Sequence, residues 1–407
     1  VLVLLARTVS ATDLVTLAPP TWDRYIPQGK EVDGIHGDFA LANDQLVSVI
    51  ANPRRGRNAN MTVRDVGGCL IDLTRRDRQS DQLSAFYPCA QMRALRFGGI
   101  KVEAPVRYDT DHLESVFVRG RRIALTMVAI ASEKQPDVEV TYTLEDGWPY
   151  ILVTTTFSNP GAIALDAELI DAIRADHSFD FSPETPAPLF WADDKHFGQT
   201  YGILAEQHDI LGTNARQRLL RYRNHDGRTT IKLAPGQSYR FERRIIPGAN
   251  LFEVRAIADQ LAGKPGRSVQ LTVKDTASQP VPDADVVLET DGKAHAWGKT
   301  DHDGRLLITT TPAPSKLVVS APGRGSKTLD ITAQVPQAPS IELPEAARVT
   351  ANITNEQGGI IPCKVQFIGT DGTPSPDFGP DSGEHGIKNV YYSHNGHFRR
   401  DLEPGSY

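Results

Sequence analysis

The chain has 407 residues, 40% hydrophobic and 23% charged, a globular composition too long for one ordinary core and suited to two to four domains. A net charge of −6 lacks the basic excess that nucleic-acid partners select, so nucleic acid is not expected as a partner. No apolar run reaches the ~18–20 residues of a membrane-spanning helix, and no membrane span is expected.

Val1–Leu5 is a short apolar run, and Val9-Ser10-Ala11 has the small-x-small pattern of a signal-peptidase site. Residues 1–11 are therefore expected to be the remnant of a secretory signal, which would make the protein secreted or periplasmic; the plainer alternative is an ordinary first strand. From there nearly every segment has the pattern of a strand. Asp38–Ala42 and Gln45–Ile50 flank Asn43-Asp44, a hairpin signal. Val116–Val118, Arg122–Ile130, Val138–Leu144 and Tyr150–Phe157 follow, each bounded by Gly, Pro or Asp. Val138–Leu144 alternates apolar and polar residues cleanly, as a half-buried antiparallel strand requires. Thr229–Leu233 and Tyr239–Pro247 close a region, residues 12–250, expected to be one large antiparallel sandwich.

Within that region, Ala175–Asp209 looks least strand-like, being broken by Pro183, Pro186 and Pro188. It is also the densest polar and aromatic stretch, holding Asp176-His177, Glu184, Trp191, Asp193-Asp194-Lys195-His196, Glu206 and His208. A loop of this kind over a sandwich face can line a sugar cleft, with Trp191 stacking and carboxylates bonding hydroxyls. His177, Trp191, Asp194, His196 and Glu206 are the expected ligand-binding residues. A sugar-epimerising site needs a carboxylate base and a histidine acid on one ring, parts that Glu206 with His177 or His196 can play. The competing interpretation is a solvated loop of turn-forming Asp and Pro.

Two basic clusters, Arg54-Arg55-Gly56-Arg57 and Arg75-Arg76-Asp77-Arg78, suit either an anion grip or a polar edge balanced by Asp65, Asp72, Asp77 and Asp81. Three cysteines are too few for a disulfide scaffold, and Cys69 and Cys89 fit either a disulfide or two buried thiols. Cys363 falls on the core-facing pattern of a strand.

Asn250–Ala262 is the clear helix. Asn250 is a good N-cap, Glu253 stands at the capping-box position, and Gly263 with Pro265 stops it. Leu251, Val254, Ile257, Ala258 and Leu261 share one face. Beyond a linker helix at residues 251–266, Val269–Gly292 and Val349–Gly372 align at a constant offset of 80 positions, with Pro282 on Pro362 and Thr290-Asp291-Gly292 on Thr370-Asp371-Gly372. The pattern is that of two small β-sandwiches, at residues 267–335 and 348–407, joined by a linker at 336–347 that contains an edge strand, Ser340–Leu343. The second copy spends 24 positions between Asp371 and Asn395 where the first spends 12 between Asp291 and Asp303, and the extra residues read as an exposed loop. Its last strands are expected beyond Tyr407, so it is taken as incomplete. Asp301-His302-Asp303-Gly304 has two carboxylates near a histidine, but a hairpin turn explains it, and the second copy keeps only the turn residues.

The segment Cys363–Tyr407, PCKVQFIGTDG through VYYSHNGHF to LEPGSY, resembles the N-terminal part of CehA/McbA-type metallohydrolases, as do Arg57–Arg64, Asp81–Ala85 and Tyr142–Tyr150. The resemblance implies a carboxypeptidase-regulatory-like module at about 268–335, a mutarotase-like supersandwich before it, and a metal-dependent PHP-type hydrolase domain downstream as partner. The His-x-His signature of that catalytic domain occurs nowhere in this sequence, so no metal site is carried over. The expectation is a mainly β chain: a large antiparallel supersandwich followed by two small transthyretin/Ig-like modules. Its expected role is non-catalytic, binding and architectural, with no catalytic residue, metal or cofactor of its own; a divalent metal would belong to the downstream domain. The alternative is a carbohydrate-binding or carbohydrate-processing supersandwich.

Overall fold

Period-two alternation runs through most of the sequence, and the structure is correspondingly β. The computed structural model describes residues 11–78, 80–91, 94–109, 115–130, 132, 134–175, 179–212, 218–264, 266–310, 314–332, 338–378 and 386–407. They form two units, divided between Ala249 and Asn250.

The first unit opens with β1 (Thr12–Thr16), the one-turn helix α1 (Trp22–Tyr25), β2 (Phe39–Ala42) and β3 (Leu46–Ile50). β4 (Leu70–Arg75), β5 (Leu83–Pro88) and the long β6 (Arg96–Asp109) and β7 (Phe117–Ala129) follow. Next come β8 (Asp137–Glu145), β9 (Ile151–Ser158), β10 (Leu165–Glu168) and β11 (Ile170–Ala175). β12 (Asp180–Phe181), β13 (Leu189–Asp194), β14 (Gln199–Leu204) and β15 (Asp209–Gly212) lead to β16 (Arg218–Arg223), β17 (Thr230–Leu233) and β18 (Ser238–Gly248).

These strands make a 16-stranded antiparallel sheet, ordered β12-β13-β14-β18-β9-β8-β7-β1-β2-β3-β4-β5-β11-β16-β15 with β6 beside β7, while β10 and β17 pair separately. The sheet doubles back on itself. Tyr201 of β14 reaches Leu73 of β4, and Arg243 of β18 reaches Asp171 of β11. Its two halves thus enclose one large core, into which Phe39, Leu73, Phe86, Ile123, Tyr142, Val153, Ile203, Tyr222 and Phe241 all point. A second core lies on the outer face of β1–β5, where Val15, Ala40, Val49, Ile71 and Ala85 meet Tyr25 of α1 and Leu17, Val63 and Val66 from the covering loops. The expected hairpin at Asn43 is present, and its side-chain Oδ1 accepts the amides of Gln45 and Leu46, both at 2.9 Å. Cys69 and Cys89 are both buried thiols.

The second unit begins with α2 (Leu251–Leu261), capped as its sequence predicts: the Asn250 side chain accepts the Glu253 amide at 3.1 Å. Leu251, Phe252, Val254 and Ala258 are buried, and Phe252 joins the core of the first small module. That module contains β19 (Arg267–Asp275), β20 (Asp285–Thr290), β21 (Lys293–Lys299), β22 (Arg305–Thr310), β23 (Ser315–Ala321), β24 (Gly325–Ile331) and β25 (Ser340–Leu343). Two sheets, β22-β19-β25 and β21-β20-β23-β24, form the sandwich. β25, the strand expected within a linker, runs parallel to β19 and contributes Ile341 and Leu343 to the core.

The second module holds β26 (Ala347–Asn352), β27 (Cys363–Gln366), β28 (Gly386–Ile387), β29 (Val390–Ser393) and β30 (His397–Leu402), in the sheets β26-β30 and β27-β29-β28. The repeat holds at the level of single hydrogen bonds. Val273 N–H donates to Gly304 O, and Ile353 N–H to Gly396 O; Val281 bonds back to Val273, and Ile361 to Ile353. Gly304 and Gly396 take φ of 70° and 71°, and a Cβ would lie 2.4 Å from Val273 O in the first and 2.3 Å from Ile361 O in the second. Both turns thus require glycine. The added loop is not wholly exposed: Phe378 packs edge-on to Phe367 at 5.7 Å and joins the small core of Phe367, Phe398 and Leu402.

Candidate functional site

Ala175–Asp209 is not the loop its prolines suggest. Leu189–Asp194 and Gln199–Leu204 are the buried strands β13 and β14, a hairpin inside the large sheet. The three prolines lie before β13, so none has to supply an amide to that ladder.

The expected ligand residues are correspondingly dispersed. His177 lies outside the described residues. Trp191 is buried on β13, on the face opposite Phe190 and Ala192 of the main core. Asp194 is fully buried and accepts the amides of His196 and Phe197, both at 3.0 Å, which makes it the turn residue of the β13–β14 hairpin. His196 is exposed there, edge-on to Phe197. Glu206 sits beyond the far end of β14, so six residues of strand, about 20 Å, separate it from His196. His196 and Glu206 do not converge on one sugar ring.

Glu206 does line a cleft. With Gln207, Arg240, Phe241, Glu242 and Arg244 it surrounds a cavity of about 250 Å³. Glu206 pairs with Arg244 at 2.8 Å, and Arg240 pairs with Glu242. The Arg244 guanidinium lies 5.7 Å from the centre of the Tyr150 ring, itself stacked on Trp148 at 4.8 Å. Burial raises the Tyr150 hydroxyl above its ordinary value, against the pull of Arg244. Arg244 Nε is buried and has no acceptor among the described residues. Two arginines and two glutamates leave the cleft electrically balanced but dense in donors and acceptors.

Arg243, one residue earlier, points the other way. Its guanidinium is wholly buried between the layers and forks onto Asp171 at 2.7 and 2.8 Å. Tyr222 Oη donates to the same carboxylate at 2.5 Å, and the Cys89 amide donates at 3.1 Å. Thr155 Oγ1 and Val153 O accept from Arg243 Nη1 at 2.9 and 3.2 Å. Burial, with Asp171 second, pushes the Tyr222 hydroxyl well above its ordinary range. Beside this network His208 meets Tyr239 Oη at 2.9 Å, and Tyr239 donates to Asn224 at 2.8 Å. Burial lowers the His208 pKa, so the ring is neutral at physiological pH. Tyr239 and Asn224 also line a wider groove of about 390 Å³ with Asp226, Arg228 and Lys232.

Of the basic clusters, Arg75 pairs with Asp77 at 2.6 Å, as a polar edge requires, but Arg57 is buried against Asp38 at 2.6 Å, and Asp72 and Asp81, expected to balance the edge, are themselves fully buried. No three His, Cys, Asp or Glu side chains converge to hold a metal ion among the described residues, and no helix among them is long and apolar enough to cross a membrane.

No protein-family model matches the chain, and no curated protein matches it. Solved structures that align with it include a TPR-domain-containing protein from Parabacteroides distasonis, 18% identical, covering 52% of this chain and 47% of that one, with a TM-score of 0.35. A galactose mutarotase-like protein from Lactobacillus casei is 9% identical, covering 52% of this chain and 99% of its own, with a TM-score of 0.31. A GH36 alpha-galactosidase from Geobacillus stearothermophilus is 13% identical, covering 60% and 46%, with a TM-score of 0.32. The chain thus spans about half the length of the first and third. Likenesses of this size define neither a family nor an activity. The class of protein is set by its own strands: a mainly β chain of one large antiparallel sandwich and two small β modules.

Proposed function

We propose that this chain is a binding region and that its large sandwich recognises a neutral carbohydrate in the cleft of Glu206 and Arg244. The observation that carries the proposal is the cleft itself, which Glu206, Gln207, Arg240, Glu242 and Arg244 line with hydrogen-bond donors and acceptors in balanced charge. Charge balance disfavours an anion, whereas alternating donors and acceptors suit vicinal hydroxyls. A glycan array of neutral and acidic oligosaccharides tests this. Binding confined to neutral glycans and lost in Arg244→Ala supports the proposal, while an array without binding, or binding indifferent to Arg244, rejects it.

The role beside a CehA/McbA-type hydrolase domain stays a proposal that rests on the motif residues of Cys363–Tyr407, Arg57–Arg64, Asp81–Ala85 and Tyr142–Tyr150. Export, expected from residues 1–11, belongs to the same proposal.

A further inference from the structure

The two small modules share a repeat, and the first shows how its core is closed. There β20 lies between β21 and β23, antiparallel to both. Leu317 and Val319 of β23 complete a core in which Val273 and Val286 are fully buried. In the second module β27 follows the same turn that leads into β20 and pairs antiparallel with β29, as β20 does with β21. Among the described residues β27 has no strand on its other side. Thr370, just beyond it, bridges Ser406 as Thr290 bridges Ser315 in the first module. The second ladder is therefore begun at that end and open along Cys363–Gln366.

Burial records the missing cover. Val281 is 2% exposed, whereas Ile361, which makes the same backbone bond 80 positions later, is 37% exposed. Val349, Ala351 and Val365 pack against Phe367, Phe398 and Leu402 yet stay only half-buried. An open strand edge beside uncovered apolar side chains is the kind of surface to which a further strand adds.

Charge indicates the kind of strand. In the first module Glu289 of β20 and Lys316 of β23, both off the core side, face each other across the ladder. On β27 the exposed residue between Cys363 and Val365 is Lys364, which lies over the Tyr392 ring at 5.3 Å. The sign on this edge is thus the reverse of that at Glu289. Pairing β27 with a second copy of itself would bring two Lys364 ammonium groups together, and like charges across a ladder are destabilising.

We propose that the open edge of β27 accepts an antiparallel strand from a partner polypeptide, apolar at alternate residues and acidic at the position facing Lys364. The apolar residues of that strand cover Val349, Ala351 and Val365 as Leu317 and Val319 cover the first module, and its backbone pairs with the free edge.

Two synthetic peptides built on the β23 sequence Ser315–Ala321 test this against the full chain. Both keep Leu317 and Val319; one carries Lys316→Glu, Val318→Glu and Ser320→Glu, the other Val318→Lys and Ser320→Lys. The glutamate peptide should bind and slow amide hydrogen exchange at Cys363–Gln366 roughly tenfold or more, leaving β19 unchanged. The lysine peptide should bind about tenfold more weakly. Lys364→Glu, at an exposed position, should leave melting unchanged and reverse the order of the two peptides. Exchange at Cys363–Gln366 that neither peptide slows overturns the proposal, and so does a peptide preference indifferent to Lys364→Glu. Sedimentation of the chain alone as a dimer with those amides already protected assigns the edge to a second copy and overturns it as well.

Discussion

Arg243 and Arg244 are chain neighbours on β18, yet the pleat sends them to opposite faces and to different physical fates. Arg243 is fully buried and each of its nitrogens is matched: two to Asp171, one to Val153 and Thr155. Arg244 keeps contact with solvent, pairs with Glu206 at the cleft, and has no acceptor for its Nε among the described residues. A saturated buried network is what a fold needs to set two sheet layers in one register. Donors and acceptors that reach solvent at a cleft are what a ligand can use. Residue type distinguishes nothing here, and face and partner distinguish everything.

The sharpest way to break this contrast is to remove one member of the inner pair. Asp171→Ala strands a buried guanidinium and should cost about 3–5 kcal/mol in urea unfolding. A loss below about 1 kcal/mol would mean that the network does not hold the layers together. Tyr222→Phe removes one hydrogen bond to the same carboxylate, and a smaller loss of about 1.5–3 kcal/mol is expected by the same measurement. On the outer face, Arg244→Ala should move stability by no more than about 0.5 kcal/mol, as for other surface pairs. A destabilisation as large as that of Asp171→Ala would erase the distinction between the two faces.

Most of this contrast was within reach of the sequence. In Tyr239, Phe241, Arg243 and Ile245 the alternation places Arg243 among core residues, which signals a buried, partnered arginine. Its partner was not legible, because Asp171 lies 72 residues away on a strand of the facing layer. Local signals performed well. Val138–Leu144 became β8 with one residue more at each end, and Asn250 caps α2 through the amide of Glu253. The 80-position offset reappears as matched hydrogen bonds at Val273 and Ile353. What failed was reading Pro183, Pro186 and Pro188 as marks of a long loop, since they only precede β13, and density of polar residues was mistaken for convergence. Asp194 was nominated as a ligand residue and is a turn, its carboxylate spent on two backbone amides. Glu206 lines a cleft because Arg244, 38 residues later, comes to meet it. Tertiary pairing of this kind leaves no trace in spacing along one strand.

The recognition assigned to the outer face is tested most directly by calorimetric titration of the best neutral glycan from the array into the wild-type chain and Arg244→Ala, with both shown to melt alike. The dissociation constant should rise at least roughly tenfold in the variant, the equivalent of about 1.4 kcal/mol for one lost charge-assisted contact. Equal dissociation constants, or no heat from any neutral glycan with the wild-type chain, would contradict it.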